Sequence, residues 1–268
     1  MPKIFPACLL VFAFTCSLYP AVSFAEPEPA ESTEPDYTQY ELTVFMAKPG
    51  KLAAVHDWLR THHENVFAKH GATNIAYFTP TGPNPDNQIL TIHRYSSLPA
   101  LLKTSRAIKA DPLWQPMDTD LNTPESLLES ATSIRLKPTD YSPEFTPSES
   151  KVPRVFELRV YTCPSPEKLF YLHDRFREHT MKLFAKHGME NLVYWKPMDG
   201  EQYDVKLAYL LGHKSEAAAK ESFASFRADP DWLAVKKASE EKAGGSLTNA
   251  ERGVVSEFLE ATGYSPLK

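Results

Sequence analysis

Six of the nine histidines in this chain recur in register, and they are the side chains best suited to chemistry. His56, His62 and His70 are matched by His173, His179 and His187. His62 and His179 fall on apolar stripes at helical spacing, so the pattern turns each imidazole toward a sheet. A polar group placed there is either hydrogen-bonded within the core or kept for a ligand or a proton. An imidazole that titrates near neutrality suits acid–base work. A core histidine held by a carbonyl or carboxylate is the simpler expectation. A metal site on one helix is excluded by geometry. Positions six and eight residues apart rise roughly 9 and 12 Å, too far for ligand bonds of about 2 Å to one ion. No HExxH or paired-cysteine pattern is present, so no metal and no cofactor are expected.

The other chemistry-capable residues are carboxylates, guanidinium groups and aromatics. Glu41, Glu157 and Arg159 alternate with apolar residues along two strands and are expected on the inner face of a barrel. There Arg159 would neutralise Glu157, since buried carboxylates need partners. Tyr77-Phe78 and Tyr194-Trp195 give two strands an aromatic on each face. His56 with Arg60, and His173 with Arg177, lie one helical turn apart on a polar edge. Trp114 and Trp232 read as pegs after Asp-Pro caps. No glycine-rich phosphate loop, nucleophile elbow or triad motif occurs. The expected ligand pocket gathers His62, His179, Tyr77, Tyr194, Trp195, Glu157 and Arg159, with no catalytic residue assigned.

These residues are positioned by a unit written twice. Ala68-Lys69-His70-Gly71 returns as Ala185 to Gly188, Ala110-Asp111-Pro112 as Ala228-Asp229-Pro230, and Tyr141-Ser142-Pro143 as Tyr264-Ser265-Pro266. The offsets drift only from about 116 to about 123 residues, which is the length of a whole domain. In each copy an alternating strand (Tyr40–Met46; Arg154–Thr162) precedes an amphipathic helix that ends at Gly71 or Gly188. A hairpin follows (Asn74–Thr79 and Gln88–Tyr95; Asn191–Lys196 and Asp204–Leu211), then a second helix and a last strand (Leu127–Lys137; Val254–Glu260).

The order βαββαβ is ferredoxin-like, with helices on one face of an antiparallel sheet. The uncovered face is read as carrying Phe45, Tyr161, Val255 and Leu259 beside Glu41, Glu157 and Arg159. It is too apolar to leave wet. The fold class expected is therefore α+β, with two tandem units pairing sheet to sheet as an intrachain dimeric α+β barrel. The domains read as 37–137 and 154–268, joined by a proline-rich linker at 138–153.

The strand Phe156-Glu157-Leu158-Arg159-Val160-Tyr161, the helix end Leu183 to Gly188 and Tyr194-Trp195 resemble the NIPSNAP family. So do Gly212-His213-Lys214-Ser215, Phe226 to Trp232 and Tyr264-Ser265-Pro266. The resemblance covers nearly all of both repeats and is strongest in the second. It implies the dimeric α+β barrel and brings no agreed catalytic set. Relatives of that fold include cofactor-free monooxygenases and haem-degrading enzymes, but fold does not fix function.

Bulk properties narrow the rest. Lys3, an apolar stretch from Leu9 to Leu18 and Ser23-Phe24-Ala25 form a signal peptide at 1–25, with cleavage expected near Ala25 and export to the periplasm or beyond. Its apolar run is too short for a membrane span, so the mature chain is expected to have no integral membrane segment. Residues 26–36 read as an acidic, proline-rich disordered spacer. Only Cys163 would remain after cleavage, so an intrachain disulfide is excluded. A net charge of −5 without a basic stripe argues against nucleic acid. The expected function is an exported barrel of undetermined activity that binds a small apolar or aromatic molecule, or a protein partner, with no reaction assigned. The alternatives are a cofactor-independent monooxygenase-like enzyme and a structural homo-oligomer.

Overall fold

A computed structural model describes residues 38–118, 125–148, 150 and 154–268. The signal peptide and spacer read from the sequence lie outside these residues. Among the described residues no helix is long and apolar enough to cross a membrane.

The first repeat contains β1 (Gln39–Ala47), α1 (Leu52–His63) running into a π turn at Glu64–Ala68, β2 (Thr73–Pro80), β3 (Gln88–Tyr95), α2 (Leu98–Ala110), a 3-10 segment (Pro112–Met117) and β4 (Leu128–Pro138). The second contains β5 (Val155–Thr162), α3 (Pro166–Arg175), a π turn at Phe176–Thr180, α4 (Met181–Lys186), β6 (Glu190–Pro197), β7 (Lys206–His213), α5 (Glu216–Ala228), α6 (Pro230–Lys242) and β8 (Val254–Ala261). The eight strands close in the order β1-β3-β2-β8-β5-β7-β6-β4, antiparallel throughout. The two repeats thus pair as an intrachain α+β barrel. Short seams join them, Phe78 to Pro80 against Ala261 to Leu259 and Leu136 to Pro138 against Pro197 to Trp195.

The strand faces are the reverse of part of the sequence expectation. Phe45 packs with Val55, Trp58 and Leu59 of α1, and Tyr161 against Leu172 and Phe176, so both lie under the helices. Alternation then places Glu41, Glu157 and Arg159 on the helix side as well. The barrel interior holds the neighbouring row: Tyr40, Leu42, Phe156 and Leu158, with Leu259 paired opposite Phe156. It is filled by rings. Phe78 and Phe156 lie 4.9 Å apart, and Trp195 meets Tyr40 and Phe145 at 5.7 and 5.9 Å. Both rows are apolar enough to be buried, and the more uniformly apolar one goes where no helix side chain can satisfy a polar group.

Two recurrent motifs find structural employment. The Lys-His pair of each Ala-Lys-His-Gly reaches the aspartate that caps the next helical element. His70 Nε2 donates to Asp111 Oδ2 at 2.8 Å and His187 Nε2 to Asp229 Oδ2 at 2.7 Å, each joined by the preceding lysine. The other carboxylate oxygens accept from Leu113 N and Asp231 N, satisfying orphan donors at those starts.

The Tyr-Ser-Pro motifs cross between repeats. Beyond β4, Ser142 Oγ accepts from Tyr194 N at 2.9 Å, and Tyr141 Oη meets His173 Nδ1 at 2.7 Å. Beyond β8, Ser265 Oγ accepts from Tyr77 N at 3.0 Å, and Tyr264 Oη meets His56 Nδ1 at 2.9 Å. Each repeat is strapped by the tail of the other.

Candidate functional site

In the second repeat a polar cluster lies between sheet and helices. Alternation along β5 presents Glu157 and Arg159 on one face, and β7 presents Tyr209 and His213 beside them. Arg159 pairs with Glu157, and its Nε donates to Tyr209 Oη at 2.9 Å. His213 Nε2 lies 3.0 Å from Glu157 Oε2, with both side chains buried. The guanidinium sits 4.4 Å above the Phe223 ring of α5. Burial pushes the Glu157 carboxyl up, but His213 and Arg159 outweigh it and hold the group below its ordinary value. The cluster is an ionised pair with its hydrogen bonds satisfied.

The first repeat has a quieter equivalent. Thr43 stands where the second repeat has Arg159, and Tyr95 where it has His213. Tyr95 Oη donates to Glu41 Oε2 at 3.3 Å, and burial raises the Glu41 carboxyl. Beside it His93 stacks on Phe67 at 4.1 Å and meets Tyr77 Oη at 3.2 Å. Burial holds the His93 imidazole down at about 3, so it stays neutral.

An opening lies outside this cluster, a groove of about 550 Å³ between α3 with its π turn and α6. Its sequence origin is plain. After Asp111-Pro112 the first repeat meets Pro116, which breaks the segment after six residues. After Asp229-Pro230 no proline intervenes, and α6 runs for 13 residues. Tyr171, Val235 and Ala238 give the walls an apolar surface, and His179 and Lys242 stand on the rim. Arg175 forms the floor. It is buried over the Trp232 ring at 5.0 Å, with Nη1 3.4 Å from Ser239 Oγ and 3.9 Å from a Glu240 oxygen. Its Nε has no hydrogen-bond partner among the described residues. Burial disfavours its charge. In the first repeat the same positions hold Trp58 and Trp114, packed edge to face at 5.6 Å.

The expected pocket residues are therefore dispersed. Glu157, Arg159 and Tyr194 are neighbours under the second repeat's helices, where Tyr194 stacks on Tyr209 at 5.1 Å. Tyr77 is buried under the first repeat's helices, and Trp195 inside the barrel, where its Nε1 lacks a hydrogen-bond partner among the described residues. His62 is half-buried against Trp58. His179 does not face the sheet but is exposed on the groove rim. The π turn is the reason. Thr180 Oγ1 donates to Arg175 O five residues back, and the added residue rotates the apolar stripe from 179 to the buried Thr180.

Sequence reasoning missed Arg175 and His213 as site residues and gave His173 only a polar edge. His173 is buried, and desolvation, then Lys196 and Arg177, hold its imidazole down at about 4. The signal for Arg175 was available, since it stands at the position of Trp58 in the other repeat. Cys163 is buried and its thiol pushed up to about 12, which keeps it unreactive.

The profile of the NIPSNAP family matches residues 40–143 and 156–266. The chain belongs to the NIPSNAP family. Among solved structures, a protein from Lactobacillus acidophilus described as a candidate monooxygenase aligns with a TM-score of 0.53 at 11% identity, covering 84% of this chain and 94% of that one. Another so described, from Fusobacterium nucleatum, gives 0.54 at 12%, covering 84% and 93%. An anthrone oxidase-like protein gives 0.51 at 13%, covering 85% and 92%. At these identities the likeness shows a shared fold. No curated protein matches the sequence.

Proposed function

We propose that this NIPSNAP protein binds a small apolar or aromatic molecule in the groove between α3 and α6. The observation that carries the reading is the groove floor, where a buried arginine keeps one N–H without a partner beneath apolar walls. Ligand sites commonly combine such a concave apolar surface with one or two orienting polar groups, in volumes of roughly 300–1,000 Å³. An aromatic body would lie along Tyr171, Val235 and Ala238, with a hydrogen-bond acceptor over Arg175. The leader read from the sequence supports binding after export, and a mature protein that begins at Glu26 would fit that.

Anilinonaphthalene sulfonate, an aromatic anion that fluoresces on transfer from water, is a direct probe. Saturable binding by the wild type, lost on filling the groove with Ala238→Trp and weakened about tenfold or more by Arg175→Met, is the expected result. Equal binding by both variants would overturn the reading. The second reading, oxygenase chemistry of the kind the structural neighbours are named for, rests on fold alone. Uptake of dissolved oxygen on adding anthrone, abolished by Ala238→Trp, would favour it.

A further inference from the structure

The two seams of the barrel are built alike, and one of them holds a carboxylate that the other lacks. At the β4–β6 seam, Arg177 Nε and Nη2 donate to the two oxygens of Asp140 at 2.9 and 3.0 Å, a bidentate pair. Its Nη1 donates to Asp174 on the preceding turn at 2.7 Å. Beside them His173 meets Tyr141.

The β2–β8 seam repeats the frame. His56 meets Tyr264, and Arg60 pairs with Asp57 through Nη2, matching Arg177 with Asp174. The residue that corresponds to Asp140, immediately before the strap tyrosine, is Gly263. Among the described residues Arg60 keeps only the Asp57 contact, which takes Nη2, so its Nε and Nη1 have no partner among them. Where the carboxylate would stand, a pocket of about 530 Å³ opens, lined by His56, Arg60, Thr79, Glu260, Gly263 and Tyr264.

We infer that this pocket binds a small organic monocarboxylate, whose carboxylate pairs with the Arg60 guanidinium as that of Asp140 pairs with Arg177. The chain itself shows the interaction, since the two seams share the guanidinium, its anchoring aspartate and the His–Tyr wall. The aromatic ring of Tyr264 and the imidazole of His56 suit a flat body. Glu260, exposed on the rim where the other seam has Lys137, sets the opposite end. A second acid there would face like charge, so monocarboxylates are selected over dicarboxylates. This site is separate from the α3–α6 groove and does not depend on it.

Benzoate is the probe, followed by backbone amide NMR on the whole chain. Wild-type protein should show saturable shifts at Gly263 and Tyr264 with benzoate, and none with benzamide, which has the same ring without the charge. Arg60→Gln should weaken benzoate about tenfold or more, and Glu260→Gln should admit isophthalate. A Cβ built on Gly263 meets no atom within 4 Å, and the backbone there is not left-handed. Gly263→Asp should therefore fold, raise the melting temperature by closing the missing pair, and abolish benzoate binding. Arg175→Met should leave the benzoate shifts unchanged, which separates this site from the groove. The inference is overturned if benzoate produces no saturable shift at the seam, if benzamide matches it, or if binding survives both Arg60→Gln and Gly263→Asp.

Discussion

The two repeats share their joinery and differ in what fills the space beneath their helices. Each has a His-Lys clamp on a capping aspartate, a strap tyrosine on a helix histidine, and a bulged strand whose asparagine accepts from a tyrosine hydroxyl (Asn74 from Tyr77, Asn191 from Tyr194). Yet Trp58 and Thr43 in the first repeat stand where Arg175 and Arg159 stand in the second. The first is plugged by indole rings, whereas the second carries one buried arginine, one largely buried arginine, and a long extra helix above the first of them. Scaffold devices are thus held in duplicate while the space beneath the helices is filled differently in each copy.

The sharpest way to break this comparison is to remove the buried acid from each repeat. Glu157→Ala leaves Arg159 and His213 buried without their carboxylate and should destabilise by about 3–5 kcal/mol in denaturant unfolding. Glu41→Ala strands only a tyrosine hydroxyl and should cost about 1–3 kcal/mol. Equal effects would mean that the two clusters are equivalent.

Acid tests the helix histidines. His173 titrates near 4 in the folded chain and near 6.5 when unfolded, so between those values the unfolded state binds more protons. Stability is therefore full above about pH 6.5 and falls as pH drops toward 4, by about 3 kcal/mol from this group. His173→Asn should flatten that limb. His56, half-buried and held down by burial, should contribute less, and His56→Asn should flatten it less. Identical pH profiles for the two variants would remove the asymmetry.

Arg175→Met should leave stability unchanged or raise it by about 1 kcal/mol, because an incompletely satisfied buried cation is replaced by a side chain of similar length. Trp58→Met, by contrast, should destabilise, since it opens space beside Trp114. The smallest effects should be the most alike. Ser142→Ala and Ser265→Ala each free one backbone N–H of the strap and should each cost about 1 kcal/mol. A difference between them would show that one strap matters more.

Element order and barrel closure were legible because the repeats agree. A helix or strand seen faintly in one copy is confirmed by the other, and two half-covered sheets in one chain have an obvious way to bury themselves. The assignment of faces was not legible. Alternation in Phe156-Glu157-Leu158-Arg159 separates two rows but does not say which row helices cover, and Tyr161 and Phe45 pointed the wrong way. His179 was misplaced because a π turn leaves no mark in a 3.6-residue period. Arg175 could have been found by aligning repeat to repeat, where a tryptophan facing an arginine marks a change of environment. The groove could not, because it depends on how α6 settles against α3 and not on any motif.

The crossed straps carry a consequence for how the chain is made. Tyr264 closes onto His56 from 208 residues downstream, so the first repeat waits for its last fastening until nearly all the described chain has left the ribosome. Its sheet edge at Tyr77 stays open to rival strands meanwhile, and a chaperone that shields that edge would find its client there. By the same token, halves severed in the segment between the repeats and mixed should recombine only as a complementary pair.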